Sequence, residues 1–153
     1  VPDLVPVYAK LAPTSQEGID KVRRFAELLL EMPQIPFVTE HLLHAGMYTR
    51  TVRLPPMTAI AAVMIKVPTV LIAMGEGRIY TGDEVIEVAG YSVLPGSAGR
   101  KCACICESEF AVSMIFPCTA RTVEEAEKAF TDEYALLVPL SKAEAHEILI
   151  TGE

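Results

Sequence analysis

The sequence predicts one mainly β domain, a compact sandwich or barrel, with a helix before it and helices after it. Three observations carry that reading. Between residues 48 and 116, short apolar runs rich in β-branched residues are broken at close intervals by Pro-Pro, Val-Pro-Thr, Gly-Glu-Gly, Thr-Gly-Asp, Ala-Gly and Pro-Gly-Ser-Ala-Gly. No helix of useful length fits between those breakers, because Pro removes a backbone donor and Gly has no conformational preference, whereas a ladder of short strands does fit. Outside that stretch, three patterns with Ser or Thr followed three residues later by an acid mark helix starts. Finally, the 153 residues contain no internal repeat, low-complexity segment or long linker, so one domain with one core is expected.

Taken in order, residues 1–13 carry three prolines and no period, an extended arm of the kind that packs on a neighbouring subunit or stays loose. Residues 14–32 read as a helix, with Thr14 as N-cap and Glu17 reaching back. Ile19, Val22, Phe25, Ala26, Leu29 and Leu30 follow at helical spacing until Pro33, and Asp20, Arg24, Glu27 and Glu31 occupy the other face, so this helix should lie against a sheet. Residues 33–121 form the β region. It is entered through an extended segment that Pro33 and Pro36 keep non-helical. Val52 and Leu54 alternate with polar neighbours, while residues 59–65 and 70–74 are nearly all apolar and imply burial on both faces. Residues 80–84 make a turn, and residues 101–106 and 110–116 complete the ladder. Residues 122–153 return to helix, with one capping box at Thr122 and Glu125 and another at Ser141 and Glu144 opening a short helix through Ile148.

The net charge of −7 and scattered basic residues exclude a phosphate-backbone partner, so no nucleic acid is expected. Half the chain is hydrophobic (51%), yet Lys66, Pro68 and the Gly-Glu-Gly turn keep every apolar run short of the roughly 18–20 residues a bilayer requires, so no membrane partner is expected either. The surplus apolar surface points to a subunit interface in a homo-oligomer or with other protein subunits. The four cysteines are clustered rather than spread as a stapling framework, and no basic-then-apolar leader opens the sequence, which together predict a reduced, cytoplasmic setting.

Several short words in the β region occur in a characteristic order. Met32-Pro33-Gln34 ends the helix, and His41 and Gly46-Met47-Tyr48-Thr49-Arg50 open the sheet. Pro55-Pro56-Met57-Thr58 makes a turn, Gly77-Arg78-Ile79 closes an apolar strand, and Val93-Leu94-Pro95-Gly96 follows. Over roughly two-thirds of the chain this order resembles small cupin-like proteins of phage and prophage type. The resemblance implies a double-stranded β-helix, a jelly-roll-like barrel. Metal-binding relatives hold a divalent ion with inward histidines, and the positions that match them here are Lys66, Val70 and Phe116. None of these ligates as imidazole does. The resemblance therefore implies a barrel whose metal site is lost, with no cofactor, in a cytoplasmic or virion setting.

Cys102, Cys104 and Cys106 fall on one face of a strand, spaced about 6.5–7 Å per step, while each Zn–S bond is only about 2.3 Å long. Core packing is the simpler reading, with a metal or redox role, helped by Cys118, the alternative. Lys66 is embedded in an apolar run: facing inward it is a desolvated nucleophile or base, and facing the rim it snorkels to water. His41 and His44 are three apart on an extended segment, which points them to opposite faces, and His146 is remote. No nucleophile elbow, phosphate loop or dinucleotide fingerprint is present, and no catalytic residue is assigned. The reading that results is a non-enzymatic cupin-fold protein acting through assembly, a structural or accessory component of a phage or prophage. The alternative is a small-molecule-binding or metal-dependent cupin enzyme whose cavity is lined by Tyr48, Lys66, Cys102, Cys104 and Cys106.

Overall fold

A computed structural model of the chain describes residues 10–137 and 145–151. Its order is α1 (Gln16–Leu30), β1 (Val38–His44), β2 (Met47–Leu54), β3 (Thr58–Ala61), β4 (Thr69–Tyr80), β5 (Val85–Gly96), β6 (Ala103–Cys106), β7 (Phe110–Pro117), α2 (Val123–Phe130) and β8 (Ala145–Ile150). The strands form one curled sheet in the order β3-β6-β4-β7-β2-β1-β8, with β5 added to β4. Every pairing is antiparallel except β1 with β8. The expected mainly β fold with a preceding helix is observed, and the strands curl into a half-barrel.

Helix α1 begins one residue later than its capping pattern suggests. Ser15 is the N-cap and accepts from the Gly18 amide at 3.0 Å. Thr14 is drawn away instead, its hydroxyl accepting from the Lys101 amide at 2.9 Å. Glu17 pairs with Lys21 at the surface rather than reaching back. The helix is held up to its middle: Gly18 and Val22 are buried and Phe25 packs edge-on against Tyr80, while Leu28 and Leu30 are 60% and 74% exposed. The held half is clasped by the β4–β5 turn, where Asp83 accepts from the Ser15 amide at 2.8 Å. The backbones meet so closely that a Cβ on Gly82, which has φ +82°, would strike the Gly18 carbonyl.

The β1–β2 hairpin turns on Ala45 and Gly46, both with positive φ (53° and 68°), the mirror-image turn whose twist matches flanking strands. That turn fixes the register His44↔Met47 and puts Tyr48, Arg50, Val52 and Leu54 in inward phase. Along β4 burial alternates, so the expectation that residues 70–74 are buried on both faces is corrected. Leu71 and Ala73 face the core, and Val70 and Met74 stand 45% and 54% exposed on the outer face. The run 59–65 divides likewise: β3 ends at Ala61, and only Ile65 rejoins the ladder, bridging to Arg100.

At the C-terminal end, α2 starts as predicted, Thr122 accepting from the Glu125 amide at 3.2 Å. The predicted last helix is corrected. Its capping residues 141–144 lie outside the described residues, and residues 145–148 belong to strand β8, paired in parallel with β1 from Val38↔Ala145 onward. The partner strand decided the conformation, since a short sequence able to form either structure takes the one whose hydrogen bonds are completed by tertiary pairing.

Candidate ligand cavity

The concave side of the sheet encloses a cavity of about 150 Å³. Its walls are the inward side chains of the strands, among them Leu54, Ile60, Leu71, Ile79, Val112 and Met114. Leu11, Phe130 and Leu137 cover it from outside the sheet. Four side chains with polar atoms interrupt this lining: Arg50, Arg100, Cys102 and Cys104.

Arg50 reaches the cavity from β2. Its Nη1 pairs with Glu127 Oε2 at 3.0 Å, and both side chains are nearly buried. Its guanidinium also lies 5.6 Å from the centroid of the Phe130 ring, a cation–π contact. Glu127 and Phe130 come from successive turns of α2, spaced i and i+3, so that one helix face supplies both partners. Arg100 is different. It is 2% exposed, and its bonds go to neutral acceptors: Nη1 to the Ser97 carbonyl at 2.9 Å and the Val67 carbonyl at 3.4 Å, and Nη2 to Thr69 Oγ1 at 2.6 Å. No carboxylate pairs with it among the described residues. Burial lowers its pKa from the usual guanidinium value, a guanidinium being titrated so far above neutrality that the charge remains. The backbone makes room for it at Gly96, where a Cβ would sit 2.8 Å from the guanidinium carbon.

The sequence-predicted residues do not gather in one place. Cys102 and Cys104 line the cavity, in phase with Arg100 along the chain. Burial pushes their thiols up to about 11 and about 12, so both are protonated and unreactive near neutral pH. Cys106, at the far end of β6, turns its thiol to the carbonyls of Pro55 and Thr58 at 3.3 and 3.4 Å. Tyr48 is fully buried behind the cavity, with its hydroxyl 2.7 Å from His41 Nδ1 and its ring stacked on Phe130. Burial raises its phenol to about 12, the Arg50 charge pulling the other way. Lys66 is at the rim, half-exposed, with Nζ 2.7 Å from Asp132 Oδ1. Val70 is on the outer face, and Phe116 packs edge-on against Tyr48 and Phe130. His41 is buried and His44 exposed, as their spacing predicts, and His44 Nδ1 lies 2.6 Å from Thr151 Oγ1.

The polar groups at the cavity do not fit a divalent metal. Guanidinium has no lone pair to donate and repels a cation, and Cys102 and Cys104 alone offer fewer donors than a divalent ion needs. Among the described residues no group of three or more His, Cys, Asp or Glu side chains is placed to hold an ion. Nor is any helix among them long and apolar enough to cross a membrane.

No protein-family model matches the sequence, and no curated protein is significantly similar to it. Similarity to solved structures is found at the level of the curled barrel. A cupin-2 domain containing protein from Shewanella frigidimarina is 18% identical with a TM-score of 0.40, the match covering 61% of this chain and 91% of that one. The plu4264 protein from Photorhabdus luminescens is 14% identical with a TM-score of 0.43, over 65% of this chain and 74% of that one. A salicylate 1,2-dioxygenase from Pseudoaminobacter salicylatoxidans is 15% identical with a TM-score of 0.45, over 76% of this chain, which spans only 38% of the dioxygenase.

Proposed function

We propose that this chain is a cupin-fold binding protein that holds a small, largely apolar molecule inside its half-barrel. The observation that carries this reading is the cavity of about 150 Å³ with walls built mainly of apolar side chains. A largely apolar space of roughly that size takes up a molecule about as large as benzene. Benzene is accordingly expected to raise the melting temperature of the full chain in a saturable manner, since a ligand bound only by the folded state stabilises it by mass action. Cys104→Leu, which fills part of the space, is expected to abolish that rise without lowering the melting temperature by more than a few degrees. A melting temperature unmoved by benzene in the unsubstituted chain counts against the reading.

A second reading, assembly of copies of this chain, is supported by the outer face of β4 and β5. Val70, Met74, Tyr91 and Val93 are between 41% and 62% exposed there, and the register Met74↔Tyr91 and Ile72↔Val93 makes one apolar patch of them. The chain carries a net charge of −7, so two copies meet most readily through a face free of charge. Sedimentation velocity is expected to give twice the chain mass, reverting to one chain in Met74→Lys/Tyr91→Lys. A monomer across the whole concentration range removes this reading.

A further inference from the structure

Two guanidiniums border the cavity and one carboxylate answers them. Arg50 has Glu127, and the neighbouring Lys101 has Glu133, its Nζ 3.2 Å from Oε1. Among the described residues Arg100 has only two carbonyls and a hydroxyl. A buried charge is ordinarily paired, because neutral dipoles replace only part of the hydration it gives up.

The pattern of donors sharpens this. A guanidinium has five N–H donors. The three bonds of Arg100 use Nη1 twice and Nη2 once, which leaves Nε–H and one Nη2–H without a protein acceptor among the described residues. Nε carries no bond among the described residues and Nη2 keeps one donor, and these two nitrogens flank the edge of the guanidinium plane on which a carboxylate binds in parallel. The carbonyls of Val67 and Ser97 and the hydroxyl of Thr69 fix the plane, so the guanidinium is pre-oriented rather than mobile.

We propose that the cavity takes a small apolar monocarboxylate, its anionic head on Arg100 and its hydrocarbon body against Leu54, Ile60, Ile79 and Met114. The proposal rests on the cavity reading above and adds the charge and class of the ligand. The volume limits the body to about six to eight non-hydrogen atoms, the size of a single ring or a short chain. The aliphatic walls set it apart from a free inorganic anion, which would lose its hydration to surfaces that return nothing. Cys102 and Cys104, in phase with Arg100 and protonated, contribute polarizable surface without competing charge.

Hexanoate and hexanamide separate the parts of this proposal, since they share a chain and differ in charge. Calorimetric titration of the full chain at neutral pH is expected to show hexanoate binding at least tenfold more tightly than hexanamide. Arg100→Gln, which keeps donors for the carbonyls, should lose at least tenfold in hexanoate affinity while keeping its response to benzene. Equal affinity for hexanoate and hexanamide overturns the carboxylate and leaves the cavity standing. Undiminished hexanoate binding by Arg100→Gln overturns the role of Arg100, and phosphate binding as tightly as hexanoate overturns the apolar body. Failure of benzene, hexanoate and hexanamide alike overturns the cavity reading itself. If Arg100→Gln does not fold, the hexanoate-to-hexanamide ratio in the unsubstituted chain decides alone.

Discussion

Replacing Glu127 with Ala is expected to destabilise the domain by about 3–5 kcal/mol, the usual cost of leaving a buried charge without its partner. Arg50 and Glu127 are both nearly buried and 3.0 Å apart, so removing the carboxylate strands the guanidinium between Phe130 and an apolar cavity. Urea denaturation followed by circular dichroism measures the loss. The double substitution Arg50→Met/Glu127→Leu is expected to recover most of it, because a pair replaced by apolar groups of similar volume leaves no charge to strand. A double variant as unstable as Glu127→Ala would show that the aromatic contact of Arg50, rather than its charge, holds this end of the barrel.

Alkaline pH is expected to unfold the chain steeply. Tyr48, Cys102 and Cys104 hold their protons up to about 12, 11 and 12 in the folded state, against ordinary values of 10.0 for the phenol and 9.0 for the thiols. All three are raised by burial, which favours the neutral form. Their contribution is therefore complete below pH 9 and is lost as the unfolded chain releases protons that the folded chain keeps. Each group costs up to about 1.4 kcal/mol per pH unit, and between pH 10 and 11 all three act together, on the order of 4 kcal/mol per unit. That is comparable with the whole stability of a domain, about 5–15 kcal/mol. Urea midpoints measured from pH 8 to 11 check the slope, and Cys104→Ala is expected to reduce it by about a third. A midpoint that stays flat to pH 11 contradicts the burial of these groups.

The parts of the fold legible in the sequence were those decided locally. Helix starts were visible because Ser and Thr hydroxyls compete for free amides there, although at α1 the next residue took the cap once Thr14 bonded to Lys101. The strand ladder was visible because Pro and Gly punctuate it. Strand β8 was not, because its conformation depends on β1, far away in sequence, and nothing within Ala145–Ile150 specifies that pairing. At the cavity, alternation put Cys102, Cys104 and Cys106 on one face, but only the first two line the cavity, the Cys106 thiol turning to the Pro55 and Thr58 carbonyls. Arg50 and Arg100 were missed although the signal existed. Arg50 is in phase with Tyr48 and Val52, and Arg100 is in phase with Cys102 and Cys104, so the same alternation that sends those residues inward sends the guanidiniums with them. Charged side chains are commonly assigned to the surface on type alone, and only the three-dimensional arrangement shows one of these two to be buried without a counter-charge.

The parallel pairing of β1 with β8 also bears on how the chain is made. Contacts such as His44 with Thr151 join residues 107 positions apart. At a synthesis rate of about 5–20 residues per second, the outer edge of β1 waits roughly 5–20 s for the strand that covers it. During that interval β1 presents an unfinished row of amides and carbonyls to every other nascent copy nearby. The slow, non-local closure of this edge makes the time just after synthesis, rather than the folded state, the period in which this protein is most exposed to pairing with the wrong chain.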